Sequence, residues 1–267
     1  MGIWDKRAFD VAMAMLGATM LQNIYSFYYV KVFLEFYKVK SVYMTVAQIL
    51  FMIWNAINDP LFGCVQDVGC GRHLRWLSSR RKVILYMGPI LAASFLLFWF
   101  PWTIGDPDWL VGLHLLTALF LYDALFSLVL SAHCGLFTEL STEHASRVRV
   151  VVYMEAATIL GSLVIFPVDW LSSNVHNFPV FQGLTGVVAV LGTLCLIYTS
   201  WFASDEVAQT EQLEVGPCKP CESSDKAKVA VATERPLKDS VWSSFKSSAS
   251  KSWQILQERD FLCVVIG

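Results

Sequence analysis

The sequence predicts an all-helical integral membrane bundle. Three observations carry that expectation: a greasy, charge-poor composition, apolar stretches of bilayer-spanning length, and basic residues gathered in alternate connections. Of 267 residues, 55% are hydrophobic and 16% charged, and the mean hydropathy of +0.51 lies outside the range of soluble domains. The formal net charge of -2 averages an almost uncharged body with a charge-rich tail. No basic face marks a nucleic-acid partner, so the expected partner is the lipid bilayer.

A helix needs about 20 mostly apolar residues to cross the hydrocarbon core. Six stretches qualify, at 8–34, 41–66, 83–102, 109–137, 148–171 and 178–202. In lipid a segment must satisfy its own backbone amides, so stretches of this length fold as helices. The alternation of a membrane β-barrel is absent. The first stretch is too long for a signal-peptide core and should remain as a helix. Met1-Gly2 resembles a myristoylation start, but Lys6 stands where Ser or Thr is required.

Orientation follows from the basic residues. Lys6 and Arg7 precede the first stretch, Arg72, Arg75, Arg80, Arg81 and Lys82 fill the second connection, and Arg147 and Arg149 mark the fourth. On the opposite side stand Lys38 and Lys40, with Lys31 nearby, and the loops at Gly105-Asp106-Pro107 and Ser172-Ser173-Asn174 carry no basic residue. The N-terminus, the second and fourth connections and the tail are therefore expected in the cytosol. The plasma membrane is expected ahead of an internal membrane. Trp99, Trp102, Trp109 and Trp170 sit near span ends, where an interfacial belt and a buried tryptophan look alike.

Residues 1–202 thus form the expected transmembrane unit. From 203 to 258 the composition turns to Ser, Glu, Lys and Pro and reads as a cytosolic linker. Within it Trp242, Phe245, Ala249, Trp253 and Leu256 recur at helical spacing, either an amphipathic helix at 241–257 or part of the disordered linker. The final residues, 259–267, begin another apolar run and stop, which reads as the start of a truncated seventh helix. The seven cysteines form no disulfide framework, and Cys218 and Cys221 lack a second pair or a nearby His to complete a metal site.

Polar groups at membrane depth cost several kcal/mol unless they meet a partner or water, so they mark candidate function. Gln48, Asn55 and Asp59 share one face of the second stretch at about 100° per residue, with Asn58 adjacent. This stripe reads either as a cation or proton site or as a helix–helix hydrogen-bond seam. In the fourth stretch Asp123, Ser127, Ser131 and Cys134 share a face, with Tyr122 beside the carboxylate, and read as a cavity lining or as close packing. Glu155, Thr158 and Ser162 repeat the pattern in the fifth. His133 reads as a proton carrier or as a hydrogen-bonded structural residue. The chain has no G-x-S-x-G and no P-loop, so an enzyme is the weaker class and no cofactor is expected.

The run Trp54-Asn55-Ala56-Ile57-Asn58-Asp59-Pro60-Leu61-Phe62-Gly63, followed by Asp67 and a basic loop, resembles the second-helix signature of the glycoside–pentoside–hexuronide:cation symporters. These form the melibiose permease branch of the major facilitator superfamily. Among animal proteins the chain looks most like the transmembrane protein 180 family, on Leu21-Gln22-Asn23, Phe27-Tyr28-Tyr29-Val30, the second-helix run and Leu121-Tyr122-Asp123.

The resemblance implies the N-terminal six-helix half of a two-half transporter, with alternating access and a solute moved with Na⁺ or H⁺. Positions matching Asn55 and Asp59 are paired carboxylates in bacterial symporters. An amide at Asn55 implies weaker Na⁺ binding. The position matching Asp123 helps bind sugar in that branch, yet its first-helix acidic partner has no clear counterpart here, the nearby residue being Met15, so sugar specificity is not implied. Gly63 and Asp67 match the superfamily's conformational loop motif, with Val68 in place of the usual basic residue and Arg72 following Gly71. The expected function is a cation- or proton-coupled solute symporter, completed by a second half or a second copy. Its alternative is a non-transporting scaffold or receptor, or an inactive truncated form, on the same fold.

Overall fold

The structure, a computed structural model, describes residues 5–68, 79–104, 107–140 and 144–203, leaving aside the side chains of 59–61, 63–68, 139–140 and 144–146. The expected linker beyond 203, its helix at 241–257, the run at 259–267, the Cys218 and Cys221 pair and Arg72 lie outside the described residues. So do the side chains of Asp59, Gly63 and Asp67.

Every regular element among the described residues is helical. The order is α1 (Lys6–Lys31), a π-helical extension (Val32–Phe36), α2 (Ser41–Val68), α3 (Arg80–Leu97), α4 (Asp108–Leu140), α5 (His144–Ser162), α6 (Ile165–Leu171) and α7 (Phe178–Phe202). Asp5 caps α1, its Oδ1 accepting from the Arg7 and Ala8 amides at 3.2 and 3.4 Å. α5 and α6 together replace the single fifth helix expected at 148–171. Pro167 has no amide to donate to Leu163, and the chain loosens there, with the Val164 amide on Gly161 O at 3.3 Å and the Phe166 amide on Leu163 O at 3.2 Å.

By length and hydropathy, four segments are able to cross a membrane: Ser41–Asn58, Asp108–Thr138, Arg147–Leu171 and Phe178–Phe202. α1 and α3 fall short of that criterion, whereas six spanning stretches were expected. The reason is composition. α1 carries Asp10, Gln22, Asn23 and several tyrosines, and α3 spends its first turn on Arg80, Arg81 and Lys82. Both bury much of their surface inside the bundle instead, with Leu21, Ile24, Ile84, Leu91 and Phe95 fully enclosed.

α1 packs on α5 and α7, α3 on α4 and α7, and α2 on α4. Small residues set the α1–α7 distance: a Cβ on Gly17 would stand 2.7 Å from the Gly192 carbonyl oxygen. Arg81 ties α3 to the end of α7, donating from Nε to Ser200 O at 2.8 Å and from Nη2 to Trp201 O at 3.0 Å. At the opposite end Gln182 donates to Trp99 O at 2.6 Å, and Lys31 donates to the side-chain and main-chain oxygens of Asn174 at 2.6 and 3.0 Å. Meanwhile Met52, Ile53, Ile159, Val187 and Leu194 lie exposed, an outer surface suited to lipid rather than water. Of the four candidate interfacial tryptophans, Trp102, Trp109 and Trp170 are exposed, but Trp99 is fully buried against Phe95 and Phe181.

Candidate functional site

α1, α2 and α4 line an open-sided cavity of about 500 Å³ with both polar and apolar walls. α4 contributes most of it, through Tyr122, Asp123, Phe126, Ser127, Leu130, Ser131 and Cys134. Their steps of three and four residues keep them on one face of a straight helix. α1 adds Gln22 and Tyr25, and α2 adds Phe51 and Asn55.

Asp123 is held across the helix interface: Asn58 Nδ2 donates to its Oδ2 at 2.9 Å. Asn58 is wholly buried, and its own Oδ1 has no hydrogen-bond partner among the described residues. A buried carbonyl oxygen left in that state costs about 1–3 kcal/mol. Tyr122 donates to Gln22 Oε1 at 3.2 Å, while Gln22 Nε2 donates to Ser26 at 3.3 Å. Behind these groups stands an aromatic stack, with Tyr25 at 4.8 Å from both Tyr29 and Tyr122, and Tyr122 at 5.7 Å from Phe126.

The predicted stripe on α2 divides. Asn55 lines the cavity, Asn58 turns into the α2–α4 interface, and Gln48 donates to the Tyr29 hydroxyl at 2.9 Å. On α4 the predicted face from Asp123 to Cys134 stays together in the cavity wall. Glu155 does not join it: it is exposed on α5 and is not among the residues lining this cavity. The α5 pattern turns elsewhere, since Ser162 accepts from Asn23 at 3.0 Å and Thr158 bonds its own helix at Met154 O. His133 is buried, with Nε2 at 2.9 Å from Val11 O, and does not line the cavity.

Sequence reasoning passed over Gln22, Tyr25, Phe51 and Phe126 as lining residues. Gln22 gave a signal, an amide midway along an apolar stretch, whereas aromatic residues give none because they serve equally as core. Asp10 was also passed over. It is a buried carboxylate on α1 that accepts from Tyr198 at 2.9 Å, while its main-chain oxygen accepts from Thr199 at 2.8 Å. It braces α1 against α7, away from the cavity.

A cavity lined by amides, hydroxyls and a carboxylate as well as aromatic rings, between helices whose outer faces are apolar, defines a transporter-like integral membrane protein. The chain belongs to the family described as MFS/sugar transport protein, whose profile matches residues 11–220. It is similar to Transmembrane protein 180 of Mus musculus, 30% identical over 207 residues, covering 74% of this chain and 38% of that protein. It is also similar to Transmembrane protein 180 of Gallus gallus, 28% identical over 188 residues, covering 66% of this chain and 36% of that protein. The chain therefore spans less than two fifths of the length of these relatives. The all-helical architecture and the family agree on a major facilitator membrane fold.

Proposed function

We propose that this chain forms a six-helix transporter unit that moves a small solute through the α1–α2–α4 cavity, coupled to Na⁺ or a proton held beside Asn58 and Asp123. The observation that carries the reading is the buried Oδ1 of Asn58, without a hydrogen-bond partner among the described residues and set on the same amide that anchors the Asp123 carboxylate. Neutral carbonyl and carboxylate oxygens are what a hard cation takes as ligands. Asp59, the next residue, and Asn55, less than one turn earlier, belong to the same proposed site. With an amide at Asn55, the site binds Na⁺ more weakly than a pair of carboxylates does.

A second six-helix unit, either a further half or another copy of this chain, supplies the facing wall that alternating access requires. The N-terminus and the Arg80 end of α3 lie in the cytosol, with the plasma membrane as the expected site, and the protein is not an enzyme. One observation favours a non-transporting receptor or scaffold instead: Asn55 stands where the symporters it resembles carry a carboxylate.

The test is uptake of a solute panel by the chain in proteoliposomes under Na⁺, H⁺ or no gradient, with Asn58→Ala and Asp59→Asn alongside. Gradient-driven uptake that falls at least about tenfold in either variant is expected, equivalent to losing about 1.4 kcal/mol at the coupling site. Uptake indifferent to both gradient and substitution discards the coupling role. Binding of solute without any uptake selects the receptor or scaffold reading.

A further inference from the structure

We infer that two copies of this chain close face to face, α5 of each against α2 of the other, with Asn55 of one copy donating a hydrogen bond to Glu155 of the second copy. The inference rests on the reading of the α1–α2–α4 cavity as a solute site that needs a facing wall, and it names what supplies that wall.

The order of the helices comes first. α1 and α4 touch, α2 packs chiefly on α4, and α5 packs chiefly on α1. The four therefore run α5, α1, α4, α2, with α5 and α2 as the two edges and the open cavity before them. The edge spans are also the least covered. Ser41–Asn58 and Arg147–Leu171 are each 17% buried, against 39% and 33% for the other two.

Glu155 is the second point. It stands about 12 Å along the helix from Arg147, at 1.5 Å per residue, on one face with Val148, Val151, Val152 and Ile159, all exposed. It has no hydrogen bond or ion pair among the described residues. Lipid against that face would leave a carboxylate in hydrocarbon with no donor, which is costly, so the face suits protein. Ser162 shares the face and accepts from Asn23, the neighbour of the lining residue Gln22. The Glu155 face thus borders the cavity.

The third point is what meets it. Asn55 is exposed on α2, with no hydrogen bond among the described residues, and its amide can donate. Ser41 and Leu171 mark the same side of the bundle, because Lys31 donates to Asn174 there. Counted from that side at 1.5 Å per residue, Asn55 lies about 21 Å in and Glu155 about 24 Å in. A two-fold axis along the membrane normal preserves depth, so it brings the two groups together, and does so twice per dimer. Pairing α5 with its own copy would set Glu155 against Glu155, a like-charge contact. Pairing α2 with its own copy would leave Glu155 without a donor. A carboxylate at position 55 would repel Glu155, whereas the amide found there satisfies it.

The first experiment coexpresses two differently tagged copies, one carrying Asn55→Cys and the other Glu155→Cys, and oxidises the membranes with copper phenanthroline. Linked dimer should exceed that of the unmodified chain, or of either substitution paired with itself, by at least about threefold, because a disulfide needs close Cα atoms. The second follows energy transfer between labelled chains as vesicles are diluted with lipid. Asn55→Asp should weaken pairing at least about tenfold, and adding Glu155→Gln to the same chain should restore it to within about threefold.

Pairing unmoved by Asn55→Asp overturns the inference, as does linkage only between like positions. A chain that stays monomeric at every lipid ratio while keeping its helical circular dichroism overturns it too, and leaves the facing wall to a further half. Crossed linkage with rescue by the double substitution, in a chain that takes up no solute under any gradient, supports the interface and discards the transport reading alone.

Discussion

Asn58 is the residue through which α2 fixes the geometry of α4. Its amide nitrogen holds Asp123, and its buried oxygen has no hydrogen-bond partner among the described residues. Replacing it with Leu strips the carboxylate of that donor, so Asn58→Leu should cost about 1–3 kcal/mol of stability, seen as a lowered midpoint for thermal unfolding in detergent. Glycines give a sharper contrast. At Gly17 an added Cβ meets the Gly192 carbonyl oxygen at 2.7 Å and Cys195 Cβ at 2.9 Å, backbone-limited contacts that cannot swing away. Gly17→Ala should therefore destabilise by about 1–3 kcal/mol through overpacking. At Gly183 nothing lies within 4 Å, and Gly183→Ala should be neutral or stabilising by up to about 1 kcal/mol, because alanine is the better helix former. Equal effects at the two positions, measured by the same melting assay, would contradict the packing of α1 on α7.

At the scale of elements, two prolines have opposite outcomes. Pro89 sits inside α3 without ending it, whereas Pro167 follows the loosened turn that separates α5 from α6. Lipid-facing helices tolerate proline when other groups satisfy the freed carbonyl, so composition alone does not say whether a span bends or breaks. For that reason the stretch at 148–171 read as one helix. Pro167→Ala restores the missing donor and should slow hydrogen exchange at the Val164 and Phe166 amides by at least about tenfold. The connection after α6 is also strained, with Ser173, Asn174 and Val175 at φ of 51, 56 and 70°. Ser173 is exposed and glycine accepts that conformation freely, so Ser173→Gly should leave the fold intact and raise its melting temperature slightly. Asn174 gains a compensating contact, because Lys31 donates to it from the end of α1.

For the whole molecule, the sorting of residues is that of a membrane bundle: tyrosines, amides and carboxylates between helices, and Ile, Val and Leu outward. The cavity follows α4 from Asp123 down to Cys134, toward the end where Arg80 packs beside Gly135. By the charge rule that end is proposed to face the cytosol. Cys134 is exposed on the cavity wall, so a variant that keeps Cys134 as its one cysteine should react with an impermeant thiol reagent from the cytosolic side of oriented vesicles. Labelling from the opposite side alone would invert the proposed orientation.

The sequence by itself determined that this protein is a helical membrane bundle and roughly where its helices run. The physical reason is that the bilayer penalises any span that fails to bond its own amides, and the penalty is written into length and hydropathy. The helical period likewise placed Asp123, Ser127, Ser131 and Cys134 on one face. Only the tertiary structure decided which faces meet. It set Asn58 rather than Gln48 against Asp123, left Glu155 outside the cavity, buried Trp99 away from the interface and brought Gln22 and Tyr25 to the wall. Periodicity fixes an angle around one helix axis, whereas the rotation of each helix toward its neighbours is settled by close packing of small residues such as Gly17 and by polar groups competing for the few partners within reach.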